Sequence, residues 1–202
     1  SLFAVEDLIA RHLPGRAGAG AFPVHAVTAP ELAQISGLDT PAEVMALCEI
    51  PAVEPHDPSG RLTLALEAVR DPGNLGTIIR IADWFGLETV VCSPDCVDAY
   101  NLKTIQATMG SIARVRVASV SLDQWLDRHP KVQLLAATLD GEPVTAFARV
   151  REGVLVIGNE SNGLSPAMIA RAHRRVTIPR LGGAESLNAA IAAAILVERL
   201  LL

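Results

Sequence analysis

The sequence contains no hydrophobic run long enough to cross a membrane. Its longest apolar stretch, 188–197, is followed directly by charged residues and falls well short of the roughly 20 residues that a membrane span needs. The first residues include Glu6 and Asp7 but no basic cluster, so no secretory signal is predicted. We therefore expect no membrane span and a cytoplasmic location.

Cysteine is also scarce. The three cysteines, Cys48, Cys92 and Cys96, show no CxxC spacing. An odd number without that spacing argues against both a disulfide framework and a zinc site. Cys92 and Cys96 have no other Cys or His near them in the sequence, so we predict reduced thiols and no bound metal.

Positive charge is not in excess, because 17 Lys and Arg face 22 Asp and Glu, for a net charge of -5. Any contact with nucleic acid must therefore come from a local patch. One candidate patch contains Arg171, His173, Arg174, Arg175 and Arg180. Taken alone, this segment is better explained as a solvated helix end and an edge strand.

The common nucleotide-binding fingerprints are absent as well. No GxGxxG lies between a predicted strand and a helix, and no GxxxxGK[ST] loop occurs. Both motifs place a Gly-rich turn against phosphate groups, so their absence disfavours an NAD enzyme and a P-loop ATPase.

From residue 61 onward, short runs rich in Val, Leu and Ile alternate with helical patterns. This alternation is typical of a parallel sheet covered by helices on both faces. Predicted strands lie within 61–69, 89–93, 132–138, 153–159 and 174–179, with a less buried one within 111–119. Predicted helices cover 75–85, 101–109, 122–128, 166–172 and 187–201. We therefore predict an α/β domain over residues 59–202.

Residues 1–58 differ from the rest, since Pro and Gly punctuate two weak helical patterns at 5–13 and 42–47. The segment 14–20, PGRAGAG, is typical of a flexible connector, and 50–60, IPAVEPHDPSG, is typical of a linker. A segment of this length makes a marginal core on its own. We predict a small N-terminal accessory segment.

Three stretches place polar residues after predicted strands, where open α/β sheets bind ligands. In the first, DPGNLGTIIRIADWFG, Asn74 stands where a helix N-cap is expected. Arg80 lies off the aliphatic face of the helix, and two interpretations stay open for it. It forms an exposed pair with Asp83, or it holds a phosphate while Gly76 leaves room for a ligand or a partner chain.

The second stretch, LVIGNESNGLSPAM, runs from a buried strand into a turn. Turn geometry accounts for Asn159 and Gly163, and capping of the next helix accounts for Ser165. Neither accounts for Glu160, a carboxylate at the end of a buried strand. A functional role is therefore favoured for Glu160.

The third stretch, IPRLGGAESLN, is a Gly-rich loop before a helix with few polar residues. Ser186 as the N-cap of that helix is the purely structural interpretation. The loop also leaves backbone N–H groups free for a ligand, so it is a candidate pocket wall.

In this order, NLGTIIR, GNESNGL and IPRLGGAESLN resemble the three motifs of the SpoU/TrmH group of the SPOUT methyltransferase superfamily. The resemblance covers about residues 61–202 and includes VDAYNLKTIQATMGSIARVRV after the first motif. It implies an α/β fold with a C-terminal deep trefoil knot, and a homodimer. It further implies transfer of a methyl group from S-adenosylmethionine to a ribose 2′-hydroxyl of tRNA or rRNA.

The same resemblance assigns roles by motif position. It implies that Gly158, Ile178 and Leu187 line the methyl-donor pocket, chiefly through backbone groups. It implies a catalytic and RNA-facing set made of Asn74, Arg80, Glu160, Ser186 and Asn188. Arg80 is the family's proposed base, although a guanidinium gives up its proton so reluctantly that holding the phosphate beside the target ribose is the safer role.

Residues 1–13 and 22–38 resemble pieces of an L30e-like RNA-binding domain, and the connector between them is too short for the complete domain. The resemblance therefore implies an apparently incomplete substrate-binding segment over residues 1–58. Two alternatives to the ribose methyltransferase stay open. One is a non-catalytic RNA-binding member, and the other is a base methyltransferase on the same fold.

Overall fold

In the computed structural model, which describes residues 1–13, 22–38, 40 and 42–202, the chain divides into two units, Ser1–Ala52 and Val53–Leu202. The first unit is a small sheet with helices α1 (Glu6–His12) and α2 (Ala29–Ile35). Its strand β1 (Leu2–Val5) pairs in parallel with β2 (Val24–Val27) and antiparallel with β3 (Val44–Ala46). The predicted connector 14–20 lies outside the described residues.

The helix predicted at 42–47 is wrong, because this segment contains β3. Val44, Met45 and Ala46 face Ala4, Phe3 and Leu2 in register across the antiparallel pair. A helix of about six residues is marginal on its own, so pairing with an existing strand edge outweighs the weak local pattern. The helical pattern at 5–13 does correspond to α1.

The second unit alternates strands and helices along the chain. Its elements are β4 (Leu62–Leu66), α3 (Pro72–Trp84), β5 (Thr89–Cys92), α4 (Leu102–Thr108), β6 (Arg116–Ser119), α5 (Leu122–Asp127), β7 (Leu134–Pro143), β8 (Gly153–Ile157), α6 (Pro166–Arg171), β9 (Arg174–Thr177) and α7 (Ala189–Leu201). The six strands form one sheet in the order β6-β5-β4-β8-β7-β9, and every neighbouring pair is parallel. The predicted α/β class is confirmed.

Helices cover both faces of this sheet. Leu64 points into one apolar core with Ile78 of α3 and Leu196 of α7, while the next residue, Ala65, points into a second core with Trp125 of α5. Successive residues of a strand face opposite sides, so a strand buried on both faces has the continuous apolar sequence that LTLAL shows. The threading of the C-terminal segment through a loop stays a prediction.

Helix α7 is the most nearly continuous apolar segment of the sequence, and it packs along α3. Ala189, Ala193, Leu196 and Leu200 are among its buried residues. Among the described residues no helix is both long and apolar enough to span a bilayer, and α7 itself has only 13 residues.

Candidate active site

The three polar stretches follow β4, β8 and β9 and therefore lie at one edge of the sheet. In a parallel sheet the carboxyl ends of the strands share an edge, and ligands bind there. The first stretch leads into α3, the second leads into α6, and the third joins β9 to α7. This topology brings together residues that are more than 100 positions apart in the sequence.

Asn74 is not the N-cap of α3, so that expectation is wrong. The helix begins two residues earlier, at Pro72, and the cap is Asp71, whose Oδ1 accepts a hydrogen bond of 2.7 Å from the Asn74 backbone N–H. Proline is well suited to the first helical position because its fixed φ is already helical. The Asn74 side chain is thereby left free for other contacts.

Side-chain hydrogen bonds join one residue from each of the three stretches. Asn74 Nδ2 donates to Glu160 Oε1 over 2.8 Å, and Asn188 Nδ2 donates to Asn74 Oδ1 over 2.8 Å. The Oδ1 atom of Asn188 accepts hydrogen bonds from the backbone N–H groups of Ala190 and Ile191, so Asn188 is the N-cap of α7. The amide of Asn74 is fixed from both ends, and its neighbour Glu160 is oriented by it.

The turn that carries Glu160 is held by Asn159. Asn159 Oδ1 accepts from the backbone N–H groups of Ser161 and Asn162, at 2.8 and 3.2 Å, and its backbone pairs with Gly163. Asn159 Nδ2 also donates to the backbone oxygen of Ala68 over 2.7 Å. The turn role predicted for Asn159 is confirmed, and the bond to Ala68 ties this turn to the loop after β4.

Gly158 is required by close packing within the same turn. A Cβ atom at this position would overlap the backbone of Gly163 and of Leu164. Gly158 is buried, at the point where β8 ends. Its role in holding the methyl donor stays a prediction.

Glu67 is a site-supporting residue to which sequence reasoning gave no role. Its two carboxylate oxygens accept from the backbone N–H and the hydroxyl of Ser165, each over 2.7 Å. Ser165 in turn accepts from Met168 N as the N-cap of α6, as predicted. The sequence did contain a signal for this role, because Glu67 is a carboxylate that directly follows the apolar strand LTLAL. Glu67 fastens the far end of the turn that carries Glu160.

Arg80 is exposed and borders an open cleft of about 620 Å³. Asn74, Thr77, Met109, Asn188 and Ile191 also line this cleft. Among the described residues Arg80 has no carboxylate within ion-pair distance, so its guanidinium is available to a bound anion.

Two expectations for the surroundings of Arg80 are wrong. Asp83 does not pair with Arg80, because it binds Arg114 and Ser111 instead. Gly76 does not leave room for a ligand or a partner chain, because it is buried against α4. A Cβ there would lie 2.5 Å from the Cβ of Ala107, so this glycine permits close packing of α3 on α4.

The loop between β9 and α7 is open. From Arg180 to Leu187, no backbone N–H donates to the backbone of a described residue, and Leu187 is 48% exposed. Ile178, at the start of the loop, is half-buried against the core of the α3 face. The N-cap interpretation of Ser186 is wrong, because Asn188 caps α7; Ser186 is exposed and makes no hydrogen bond to a described residue.

The candidate basic patch is largely neutralised by carboxylates. Arg174 pairs with Glu142 at 2.6 Å and stacks on Phe147, with 3.7 Å from its Cζ to the ring centroid. Arg175 pairs with Asp140 at 3.2 Å. Arg171 pairs with Asp127, and His173 Nδ1 accepts from Leu134 N. The structure therefore favours the structural interpretation of this segment, with Arg180 the member that has no carboxylate partner among the described residues.

Cys92 and Cys96 lie close together at the end of β5. A hydrogen bond with Cys92 is the main cause that lowers the pKa of Cys96 to about 7, while the same contact and burial raise the pKa of Cys92.

In the part of the chain that the structure describes, no cluster of three or more His, Cys, Asp or Glu is placed to hold a metal ion.

Comparison with known families and relatives shows what this chain is similar to. The model of the SpoU rRNA Methylase family matches residues 61–198. A Bacillus subtilis protein named 23S rRNA (guanosine(2553)-2'-O)-methyltransferase RlmP is 36% identical over 169 residues, or 82% of this chain and 67% of the relative. The chain spans between 53% and 67% of the length of the first curated relatives it matches.

Solved structures agree over nearly the whole chain. A TrmH-family protein from Porphyromonas gingivalis superposes with a TM-score of 0.86 at 34% identity, covering 99% of this chain and 81% of the other. An rRNA methyltransferase from Sinorhizobium meliloti, solved with S-adenosylmethionine bound, superposes with a TM-score of 0.81 at 29% identity, covering 98% and 78%.

Proposed function

Because this chain belongs to the SpoU rRNA methylase family, we propose that it transfers a methyl group from S-adenosylmethionine to a ribose 2′-hydroxyl of RNA. The observation that carries the proposal is the hydrogen-bonded set Asn74, Glu160 and Asn188, drawn from three separate stretches and placed beside the exposed Arg80. The packing of the core does not require a polar set at this edge of the sheet, whereas a ligand-binding cleft requires a few polar groups that point to one place.

The loop after β9 fits the methyl donor. Its backbone N–H groups from Arg180 to Leu187 have no backbone partner in the described part of the chain, and Leu187 adds an exposed apolar surface. An adenosine group needs both, since its ring is apolar on its faces and accepts hydrogen bonds at its edge. We place the donor against Gly158, Ile178 and Leu187.

The chemistry demands alignment more than activation. The sulfonium donor supplies an activated methyl group, and the residues of this chain must bring a ribose oxygen in line with it. Arg80, a planar guanidinium with several N–H donors, suits a bidentate grip on the phosphate next to that ribose. We propose that Glu160, held by Asn74, and Ser186 contact the sugar.

We further propose rRNA as the substrate class, because the Bacillus subtilis relative is named for a 2′-O-methylation of 23S rRNA. In keeping with such a substrate, we propose a cytoplasmic location. Residues 1–58 would select the RNA, as an L30e-like segment in front of the methyltransferase domain at 59–202.

The decisive test is to map the modified nucleotide. We expect transfer of labelled methyl from S-adenosylmethionine to purified, unmodified rRNA, and one internucleotide bond that becomes resistant to alkaline cleavage, because methylation removes the 2′-hydroxyl nucleophile. Labelled tRNA with unlabelled rRNA would overturn the rRNA assignment. Label on a base would favour the base methyltransferase, and RNA and donor binding without any label would favour the non-catalytic alternative.

We also propose that the protein works as a homodimer. Large apolar side chains lie exposed on α3, at the end of α4 and on α7, where Trp84 is 86%, Met109 72% and Ile191 51% exposed. Met109 and Ile191 line the same cleft as Arg80. An apolar surface of this kind marks a binding site for another protein, and a second copy would close the cleft.

Light scattering after size exclusion is expected to give twice the chain mass of 21.3 kDa. Trp84→Glu should shift the protein to the monomer, since a charge at a buried interface position costs several kcal/mol. Leu139→Glu is the matched control, because Leu139 is 77% exposed on the strand β7. A monomeric wild-type protein, or equal effects of both changes, would refute the dimer.

A further inference from the structure

Asp83, near the carboxyl end of α3, is engaged by two residues that follow α4. Arg114 Nε lies 3.1 and 2.9 Å from the two carboxylate oxygens, and Arg114 Nη2 lies 2.6 Å from Oδ2. Ser111 Oγ donates to Oδ2 over 2.7 Å. The hydrogen bonds from Arg114 and then from Ser111 lower the pKa of Asp83, so this carboxylate is ionised throughout the neutral range.

Arg80 precedes Asp83 by three residues, so the two side chains are neighbours on the surface of α3. Arg80 lines the cleft together with Ala107 and Met109, which come just before Ser111 in the chain. Yet the guanidinium that reaches Asp83 belongs to Arg114. The arrangement leaves Arg80 uncommitted although a carboxylate lies next to it.

We propose that Arg114 is a positioning residue that neutralises Asp83 and so keeps Arg80 available to bind an RNA phosphate. This inference rests on the proposed function, in which Arg80 contacts the phosphate beside the target ribose. In this proposal Arg114 needs no contact with RNA or methyl donor. It acts through the charge of Asp83.

Without Arg114, Asp83 would oppose RNA binding in two ways. Its carboxylate would pair with Arg80 and compete with the phosphate, and its negative charge would repel the phosphate directly. Ser111 does not prevent either effect, because its hydroxyl is neutral. Among the described residues the lining of the cleft itself includes one carboxylate, that of Asp71. Asp71 caps α3 at a point about 13 Å from Arg80 along the helix axis, so Asp83, three residues from Arg80, is the nearer competitor.

The test compares Arg114→Ala, Asp83→Asn and the double variant in the full-length protein. Arg114→Ala is expected to raise the KM for RNA about fivefold, as a screened charge at this range allows, with kcat nearly unchanged. Asp83→Asn keeps the KM within about twofold of wild type, since it removes the ion pair but also the competing charge. The double variant returns the KM to the level of Asp83→Asn. Arg114→Lys, which retains the positive charge, should also remain close to wild type.

A purely structural role for the ion pair predicts a different order. Asp83→Asn and Arg114→Ala would then be equally impaired, and the double variant would recover nothing. That result would overturn the inference. Thermal unfolding of each variant shows whether loss of fold contributes, which the partly exposed positions of both side chains argue against.

Failure of the proposed function is recognised separately. If the wild-type protein transfers no methyl group to RNA, the proposed function fails, and the inference is then decided by equilibrium RNA binding alone. We expect the wild type, Asp83→Asn and the double variant to bind RNA with similar affinity, and Arg114→Ala to bind it more weakly. The same affinity for all four would overturn the role of Arg114.

Discussion

Arg80→Ala is expected to lower kcat/KM for methyl transfer by roughly 100-fold or more, the usual effect of removing a charged donor aligned with a reacting group. Arg80 is exposed and has no ion pair or hydrogen bond with the described residues. Truncation therefore removes no hydrogen bond or ion pair with a described residue, and the free energy of unfolding should hardly change. Binding of S-adenosylmethionine, measured by calorimetry, should also persist, because the proposed donor pocket is formed by other loops.

Arg116→Ala is the matched control for Arg80→Ala. Arg116 is exposed and begins β6 at the opposite, amino-terminal edge of the sheet. Loss of its charge changes the net charge of the protein equally but leaves the cleft intact, so its activity should stay within about twofold of wild type. A normally folded Arg80→Ala protein with full activity would refute the role of Arg80, and equal losses in both variants would reduce that role to general attraction for RNA.

Gly158→Ala is expected to abolish donor binding and to lower the free energy of unfolding by about 3 kcal/mol, the upper range for overpacking in a tight site. The added methyl group would overlap the backbone of Gly163 and Leu164. Backbone atoms held in a hydrogen-bonded turn do not move aside cheaply, so the whole turn must open. A fall of roughly 10 °C in Tm would accompany the change in a chain of this size, measurable by calorimetry alongside donor titration.

Gly182→Ala, in the third stretch, is the control for Gly158→Ala. A Cβ at Gly182 would meet no described residue within 4 Å, so the Tm of this variant should remain within about 2 °C of wild type. If Gly158→Ala were as stable as Gly182→Ala, the close packing of the turn would not be essential to the fold. If Gly158→Ala were unstable but still bound the donor with wild-type affinity, its place in the donor pocket would be wrong.

Patterns within single elements predicted much of the fold. The apolar runs LTLAL and GVLVI required burial on both faces and therefore a parallel sheet with two helical layers, as found for β4 and β8. Ser165 was identified as a cap from its position before Pro166, and it is one. These features depend on neighbours in the sequence, which a single chain displays directly.

Local sequence patterns did not predict the contacts between segments that are distant in the sequence. Asp83 has a suitable partner three residues away in Arg80, but Arg114, which is 31 residues away, offers a better geometry with two nitrogens on one carboxylate. Gly76 fits α4 rather than a ligand for the same reason. Likewise, β3 forms because the edge of β1 is available for pairing. Nothing within residues 42–47 indicates that this edge exists.

The two hydrogen-bonding ends of Asn188 have a consequence for the order of events during protein synthesis. Its oxygen starts α7, and its amide nitrogen reaches Asn74, 114 residues earlier in the chain. The ribosome must therefore synthesise the chain through residue 188 before the first stretch receives this partner. A chain that stalls before residue 188 therefore lacks the hydrogen bond that fixes the second end of the Asn74 amide.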